Sequence, residues 1–179
     1  AAPRPVYAPG SGFADPSVVN HNNQFYGMST GSLVPAAQGN IASGPWVAEG
    51  PALTSKPSWA TGGGMWAPDL ERISANEWVL YFSAPVDGLG ANQRCIGAAT
   101  ASSPLGPFTP VAGGPLVCPG LADVPTAGDT VPGRPLTNAG VIDPSGFKDS
   151  DGTRLLLYKT QQLPSSLRIV RLNAAGTHV

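Results

Sequence analysis

Two aspartates in one short repeated motif are the residues of this sequence best suited to chemistry. Asp15 and Asp143 each open an Asp-Pro-Ser tripeptide, at 15–17 and 143–145. A residue before proline is pushed towards extended backbone, so we expect both carboxylates to be held alike. Two carboxylates that face one pocket with different protonation states suit acid–base cleavage of a glycosidic bond. The alternative is that Asp-Pro-Ser only shapes a turn, with the carboxylate accepting backbone hydrogen bonds.

The elements that would position these aspartates are β-strands. Helical periodicity is hard to find, and the 23 glycines and 20 prolines among 179 residues disfavour long helices. The apolar runs are short, rich in β-branched and aromatic residues, and bounded by Gly, Pro, Asn or Ser, which is typical of strands. The pattern predicts an all-β chain with strands at 17–19, 24–29, 44–48, 66–73, 77–84, 95–101, 141–147, 154–159 and 167–172.

Three of the predicted hairpins repeat one another. When they are aligned on proline, segments 13–19, 65–71 and 141–147 match, and Asp15 and Asp143 fall on equivalent positions. The spacing is near or above the length of a four-stranded propeller blade. We therefore predict one domain over 1–179 with a blade at about 13–60, a blade at about 64–112, a loop at 113–139 and a blade at about 140–179. Closed propellers have at least four blades, so we expect the chain to be part of a larger propeller.

Composition and cysteine usage limit the partners and the compartment. Ten Lys and Arg against eleven Asp and Glu leave no basic footprint for nucleic acid or an anionic membrane. The chain begins Ala1-Ala2-Pro3 without a methionine, which is typical of a processed, secreted, extracellular protein. In that compartment Cys95 and Cys118 would form one disulfide. Two reduced core thiols remain the alternative, because pairing depends on a geometry that sequence does not give.

The ordered set of motifs resembles glycoside hydrolase family 43 across essentially the whole chain. The motifs lie at 14–19, 66–70, 78–83, 96–108 and 141–147. The resemblance implies a five-bladed β-propeller, of which this chain supplies about three blades. It also implies a glycosidase of the arabinofuranosidase, xylosidase or arabinanase type, which hydrolyses arabinose- or xylose-containing plant polysaccharides with inversion.

The resemblance also assigns roles to three residues. Asp15 matches the general base that activates water, and Asp143 matches the aspartate that modulates the pKa of the general acid and orients it. Trp66, in Trp-Ala-Pro, matches a tryptophan of the sugar pocket, although a core aromatic between blades is the alternative. Members of the family sometimes hold a calcium ion on the propeller axis through residues of later blades, and this chain has no residues that support such a site. The resemblance implies no required cofactor.

The general acid of the family, a glutamate of the fourth blade, has no counterpart here. Glu49 stands in a Glu-Gly-Pro that imitates the acid motif, but it comes too early and matches the outer strand of the first blade. Glu71 and Glu77 flank a hairpin turn and are expected to be solvated. We therefore expect a C-terminal segment of the same enzyme, present as a second chain, to supply the acid, and the lone chain to be nearly inactive.

Two other functions are compatible with the same propeller. One is that of the fructan-cleaving relatives, which carry Asn-Asp-Pro-Asn-Gly; the sequence Ala-Asp-Pro-Ser at 14–17 departs from that pattern. The other is a non-catalytic carbohydrate-binding propeller that kept the pocket and lost the acid. Turnover of nitrophenyl arabinofuranoside and xyloside, compared between the unmodified chain and its Asp15→Asn and Asp143→Asn variants, tests for the carbohydrate-binding propeller, which would bind sugar and turn over neither substrate.

Overall fold

The computed structural model describes residues 12–90, 92–118, 139–161 and 163–179, and over these residues the chain is all-β. Eleven strands form three antiparallel sheets, each in simple sequential order. The first sheet contains β1 (Ser17–His21), β2 (Gln24–Met28), β3 (Pro35–Gly39) and β4 (Val47–Pro51). The second contains β5 (Trp66–Ser74), β6 (Glu77–Pro85), β7 (Arg94–Ala101) and β8 (Thr109–Pro110), and the third contains β9 (Val141–Lys148), β10 (Arg154–Thr160) and β11 (Leu167–Leu172).

The three sheets stack as propeller blades, and β6 is buried on both of its faces for that reason. Leu80 and Phe82 belong to the core between the first and second sheets. Val79 and Tyr81, on the opposite face of the same strand, belong to the core between the second and third sheets. The prediction of an all-β propeller, to which this chain contributes three blades, is confirmed.

Two strands were missed by the sequence prediction, and one was misplaced. Neither β3, Pro-Ala-Ala-Gln-Gly, nor the two-residue β8 has the β-branched or aromatic composition that marks a strand. The small residues of β3 have a packing reason: a Cβ on Gly39 would lie 2.5 Å from the ring of Trp46. The fourth strand begins at Val47 rather than at position 44.

A disulfide joins Cys95 to Cys118, which confirms the predicted pairing over the alternative of reduced thiols. Cys95 is fully buried on β7, and the bond joins it to a segment that also pairs with β7 through Ile96 and Val117. Most of the predicted loop at 113–139 lies outside the described residues. Among the residues described, no helix is long and apolar enough to cross a membrane.

Candidate functional site

Asp15 and Asp143 occupy equivalent places with the same unusual backbone. Their φ angles are 50° and 56°, and Ala67, the matching residue of the second sheet, has a φ of 42°. The expectation of extended backbone before proline was therefore wrong for Asp15 and Asp143, although the two residues share one conformation. Hydroxyls of the preceding blade accept hydrogen bonds that compete with the local preference at Ala67 and Asp143. Ala67 N donates to Thr30 Oγ1 at 2.8 Å, and Asp143 N donates to Ser83 Oγ at 3.2 Å.

These contacts connect the predicted site residues across all three sheets. Thr30 Oγ1 donates to Asp15 Oδ2 at 2.7 Å and accepts from Ala67, the neighbour of Trp66. Trp66 pairs with Ser83 in the second sheet, and Ser83 Oγ accepts from the backbone of Asp143 in the third. Asp15, Trp66 and Asp143 thus lie along one arc at the starts of β1, β5 and β9, where successive blades meet.

Both carboxylates on this arc are open to solvent. Asp15 is exposed. The side chain of Asp143 is 47% exposed, and Lys159 Nζ lies 3.6 Å from Asp143 Oδ2. Accessible carboxylates can bind a polar ligand and exchange protons with water, which a buried core position would prevent.

Arg94 is a residue of this arc that sequence reasoning missed. Its guanidinium carbon lies 3.3 Å from the ring centroid of Trp66, and Nη1 donates to Gly64 O at 2.8 Å. The residue is 5% exposed, its Nε has no hydrogen-bond partner, and burial lowers the pKa of the guanidinium. A cation stacked on one face of Trp66 holds the ring and leaves only the other face open to a ligand. An arginine at the start of a strand carries no signal in sequence that would reveal this contact.

The structure separates the glutamates of the chain. Glu49 is exposed on β4, the outermost strand of the first sheet, and accepts from Gln38 Nε2 at 2.6 Å. That position is three strands away from β1, as expected of a residue outside the site. Glu77 is exposed at the start of β6.

Glu71 is not solvated, so that expectation was wrong. It is partly buried where β5 packs on β9, and a Cβ on Gly146 would lie 3.0 Å from its Cγ. Burial, and then the charge of Asp69, raise the pKa of Glu71 to about 7, while Arg154 acts in the opposite direction. Its position beside a hairpin turn suggested that the side chain is exposed to solvent, but the third sheet covers this face of β5.

Asp69 joins all three sheets. Its Oδ2 accepts from Gly146 N at 2.7 Å in the third sheet, and its Oδ1 accepts from Ser17 Oγ at 3.3 Å in the first. Burial raises the pKa of Asp69, and these two hydrogen bonds lower it. Ser17 belongs to the first Asp-Pro-Ser motif, so the serine of that motif holds the sheets together while the aspartate faces solvent.

Replacing Glu71 with Gln is expected to change how stability depends on pH. The folded chain keeps a proton on Glu71 up to about pH 7, whereas the unfolded chain releases it near pH 4.5, so the free energy of unfolding falls as pH rises through that window. Glu71→Gln removes this loss and is expected to be more stable by about 1–2 kcal/mol at pH 8, a value reduced for partial solvation. Urea unfolding at pH 4 and pH 8 measures the difference.

Glu77→Gln is the matched control, because Glu77 lies across the same hairpin and is exposed. Its unfolding free energy should follow that of the unmodified chain at both pH values. If Glu71→Gln also follows the unmodified chain, ionisation of Glu71 carries no cost in the folded state.

No group of three or more His, Cys, Asp or Glu side chains that could hold a metal ion occurs within 12–90, 92–118, 139–161 and 163–179. The arc instead contains two accessible carboxylates, Asp15 and Asp143, a half-buried tryptophan, Trp66, and a buried arginine, Arg94.

Comparison with known proteins gives the site a context. The sequence model of glycosyl hydrolases family 43 matches residues 9–179. A probable arabinan endo-1,5-α-L-arabinosidase B of Aspergillus fumigatus is 30% identical over 156 residues, which cover 86% of this chain and 39% of that protein. The arabinan endo-1,5-α-L-arabinosidase B of Emericella nidulans is 28% identical, with 80% of this chain and 34% of the relative covered.

Solved structures share the fold at lower identity. The endo-arabinase of Bacteroides thetaiotaomicron has a TM-score of 0.69 at 19% identity, covering 93% of this chain and 52% of its own. The α-L-arabinanase of Cellvibrio cellulosa, complexed with arabinohexaose, has a TM-score of 0.67 at 21% identity, covering 93% and 50%. The chain thus spans between a third and two fifths of the curated relatives and about half of these structures.

Proposed function

The chain belongs to glycosyl hydrolases family 43, and on that premise we propose that it is the N-terminal, base-bearing part of a secreted enzyme that hydrolyses arabinose- or xylose-containing plant polysaccharides with inversion. The observation that carries the proposal is that Asp15 and Asp143 occupy equivalent, solvent-accessible positions in two blades and have similar φ angles. Arabinan is the first substrate to test, because arabinan is the substrate named for both curated relatives.

In the proposed reaction Asp15 is the general base. Its carboxylate takes a proton from a water molecule, and the water oxygen attacks the anomeric carbon on the face opposite the leaving group. The bond to the glycosidic oxygen breaks, and a general acid gives that oxygen a proton. Asp143 is the modulator that tunes and orients this acid, and Trp66 stacks on the sugar at the face that Arg94 leaves open.

The acid is proposed to come from further propeller sequence, as a second chain or as more of the same polypeptide. The third sheet supports a missing neighbouring blade, because its strand register places several exposed apolar side chains on one face. Phe147 is 41% exposed, Ile169 44% and Leu167 70%, while the opposite face of the same sheet is buried against the second. A fourth blade packed on this face would cover the apolar surface and bring a glutamate towards Asp143.

Secretion is proposed from the Cys95–Cys118 bond, because structural disulfides persist in oxidising compartments and are rare in the cytosol. An extracellular site also matches a polymeric substrate that does not enter cells.

The test is hydrolysis of linear α-1,5-arabinan, xylan and nitrophenyl α-L-arabinofuranoside by the complete polypeptide and by the 179-residue chain alone. We expect the complete polypeptide to release reducing ends from arabinan, and proton NMR of the first product to show the inverted anomer. The chain alone should be slower by about 10²- to 10⁴-fold, because it lacks the acid.

Two results would overturn the proposal. A product of retained configuration would exclude Asp15 as a base acting on water. A complete polypeptide that binds arabino-oligosaccharides without turning over any of the three substrates would identify a carbohydrate-binding propeller instead.

A further inference from the structure

Thr30 is held at the junction of the first two sheets by main-chain contacts. It lies two residues after the end of β2, and its N–H donates to Ala14 O at 2.9 Å, the carbonyl that precedes Asp15. The next residue, Gly31, exchanges two backbone hydrogen bonds of 2.9 Å with Met65, which directly precedes β5. The threonine backbone is therefore fixed relative to both inner strands.

The two contacts of its hydroxyl fix the direction of the hydroxyl proton. Ala67 N–H donates to Thr30 Oγ1 at 2.8 Å, so the oxygen acts as an acceptor on that side. The single hydroxyl hydrogen is then available for Asp15 Oδ2 at 2.7 Å, a short distance typical of a hydrogen bond to an ionised carboxylate. The main-chain amide thus orients the hydroxyl towards the carboxylate.

We propose that Thr30 is the positioning residue for the Asp15 base, orienting one carboxylate oxygen and leaving the other free to take a proton from water. The inference rests on the proposed function, because it deepens the role of Asp15. The same contact links the base to Trp66, the ring proposed to stack on the sugar, because Ala67, whose amide orients the hydroxyl, follows Trp66 in the chain.

A similar backbone contact recurs between the second and third sheets, where Asp143 N donates to Ser83 Oγ. An amide-to-hydroxyl bond between blades is therefore part of the propeller architecture and would by itself show only a structural role. The bond from Thr30 to the Asp15 carboxylate is the feature that predicts an effect on catalysis.

The test compares Thr30→Val, which keeps the shape and loses the hydroxyl, with Thr30→Ser, which keeps the hydroxyl. In the complete enzyme on arabinan, Thr30→Val is expected to lower kcat about tenfold and to leave KM within about twofold of the unmodified value. The loss falls on kcat because the hydroxyl orients the base and is not proposed to bind the substrate. Thr30→Ser should restore kcat to within about threefold.

Thr54→Val is the matched control. Thr54 also links the first two blades: it follows β4, and its hydroxyl donates at 3.2 Å to the carbonyl of Phe108, which directly precedes β8. Thr54→Val should lose a similar amount of thermal stability to Thr30→Val while its kcat stays unchanged.

The outcomes separate this inference from the proposed function. If Asp15→Asn is inactive and folded Thr30→Val keeps the unmodified kcat, Thr30 is only structural and the inference fails. If Asp15→Asn remains active, the proposed function itself fails. If Thr30→Val does not fold, a Thr30→Ser kcat that is lowered as far as that of Thr30→Ala would also exclude the inference.

Discussion

Asp15→Asn is expected to lower kcat/KM on arabinan by about 10²- to 10⁴-fold, because an amide cannot accept a proton from the attacking water. The replacement has nearly the same shape, and its carbonyl oxygen can still accept from Thr30 Oγ1. The side chain is exposed, so folding should be unaffected. Calorimetric titration with an arabino-oligosaccharide should give an affinity within about threefold of the unmodified enzyme, which would place the loss in the chemical step.

Asp87→Asn serves as the control, because Asp87 is also exposed but lies in the turn that follows β6. Its kcat/KM should equal that of the unmodified enzyme. An Asp15→Asn enzyme with more than about a third of the original kcat/KM would support the turn interpretation of Asp-Pro-Ser, in which the carboxylate only accepts hydrogen bonds.

The fold was predictable where local composition and burial agree. β6, Glu-Trp-Val-Leu-Tyr-Phe-Ser-Ala-Pro, is apolar and aromatic because both of its faces are covered, and its bounds were predicted to within one residue. β3 was missed because its residues are small: Ala36 and Ala37 are buried, and Gly39 leaves room for the ring of Trp46. A single sequence does not show that a small residue is required by a ring seven positions away.

The equivalence of Asp15 and Asp143 was predictable from the repeat, but their backbone conformation was not. The proline rule considers only the neighbouring residue, whereas Asp143 N also donates to the Ser83 hydroxyl of the preceding blade, as Ala67 N does to the Thr30 hydroxyl at the equivalent position. Arg94 and Glu71 were missed for a related reason. Their environments are created by other parts of the fold: the Trp66 ring covers Arg94, and the third sheet covers Glu71.

The disulfide gives the second large expected effect. Replacing Cys95 and Cys118 together with Ala is expected to lower the free energy of unfolding by about 3 kcal/mol, the loop-closure value for a separation of 23 residues. The cross-link restricts the unfolded chain, so its loss stabilises the unfolded state. Alanine is preferred to serine because Cys95 is fully buried and a hydroxyl there would lack a partner.

Urea unfolding followed by circular dichroism measures this loss, and the unmodified chain in excess dithiothreitol is its control. The reduced chain should unfold at the same urea concentration as the double variant, because both lack the cross-link. A loss below about 1 kcal/mol would show that the pairing of Ile96 with Leu116 and Val117, through hydrogen bonds of 2.8 to 3.2 Å, already holds the segment to β7. Arg94 directly precedes Cys95, so the disulfide also restrains the position from which the arginine contacts Trp66. The double variant should therefore bind oligosaccharide more weakly as well.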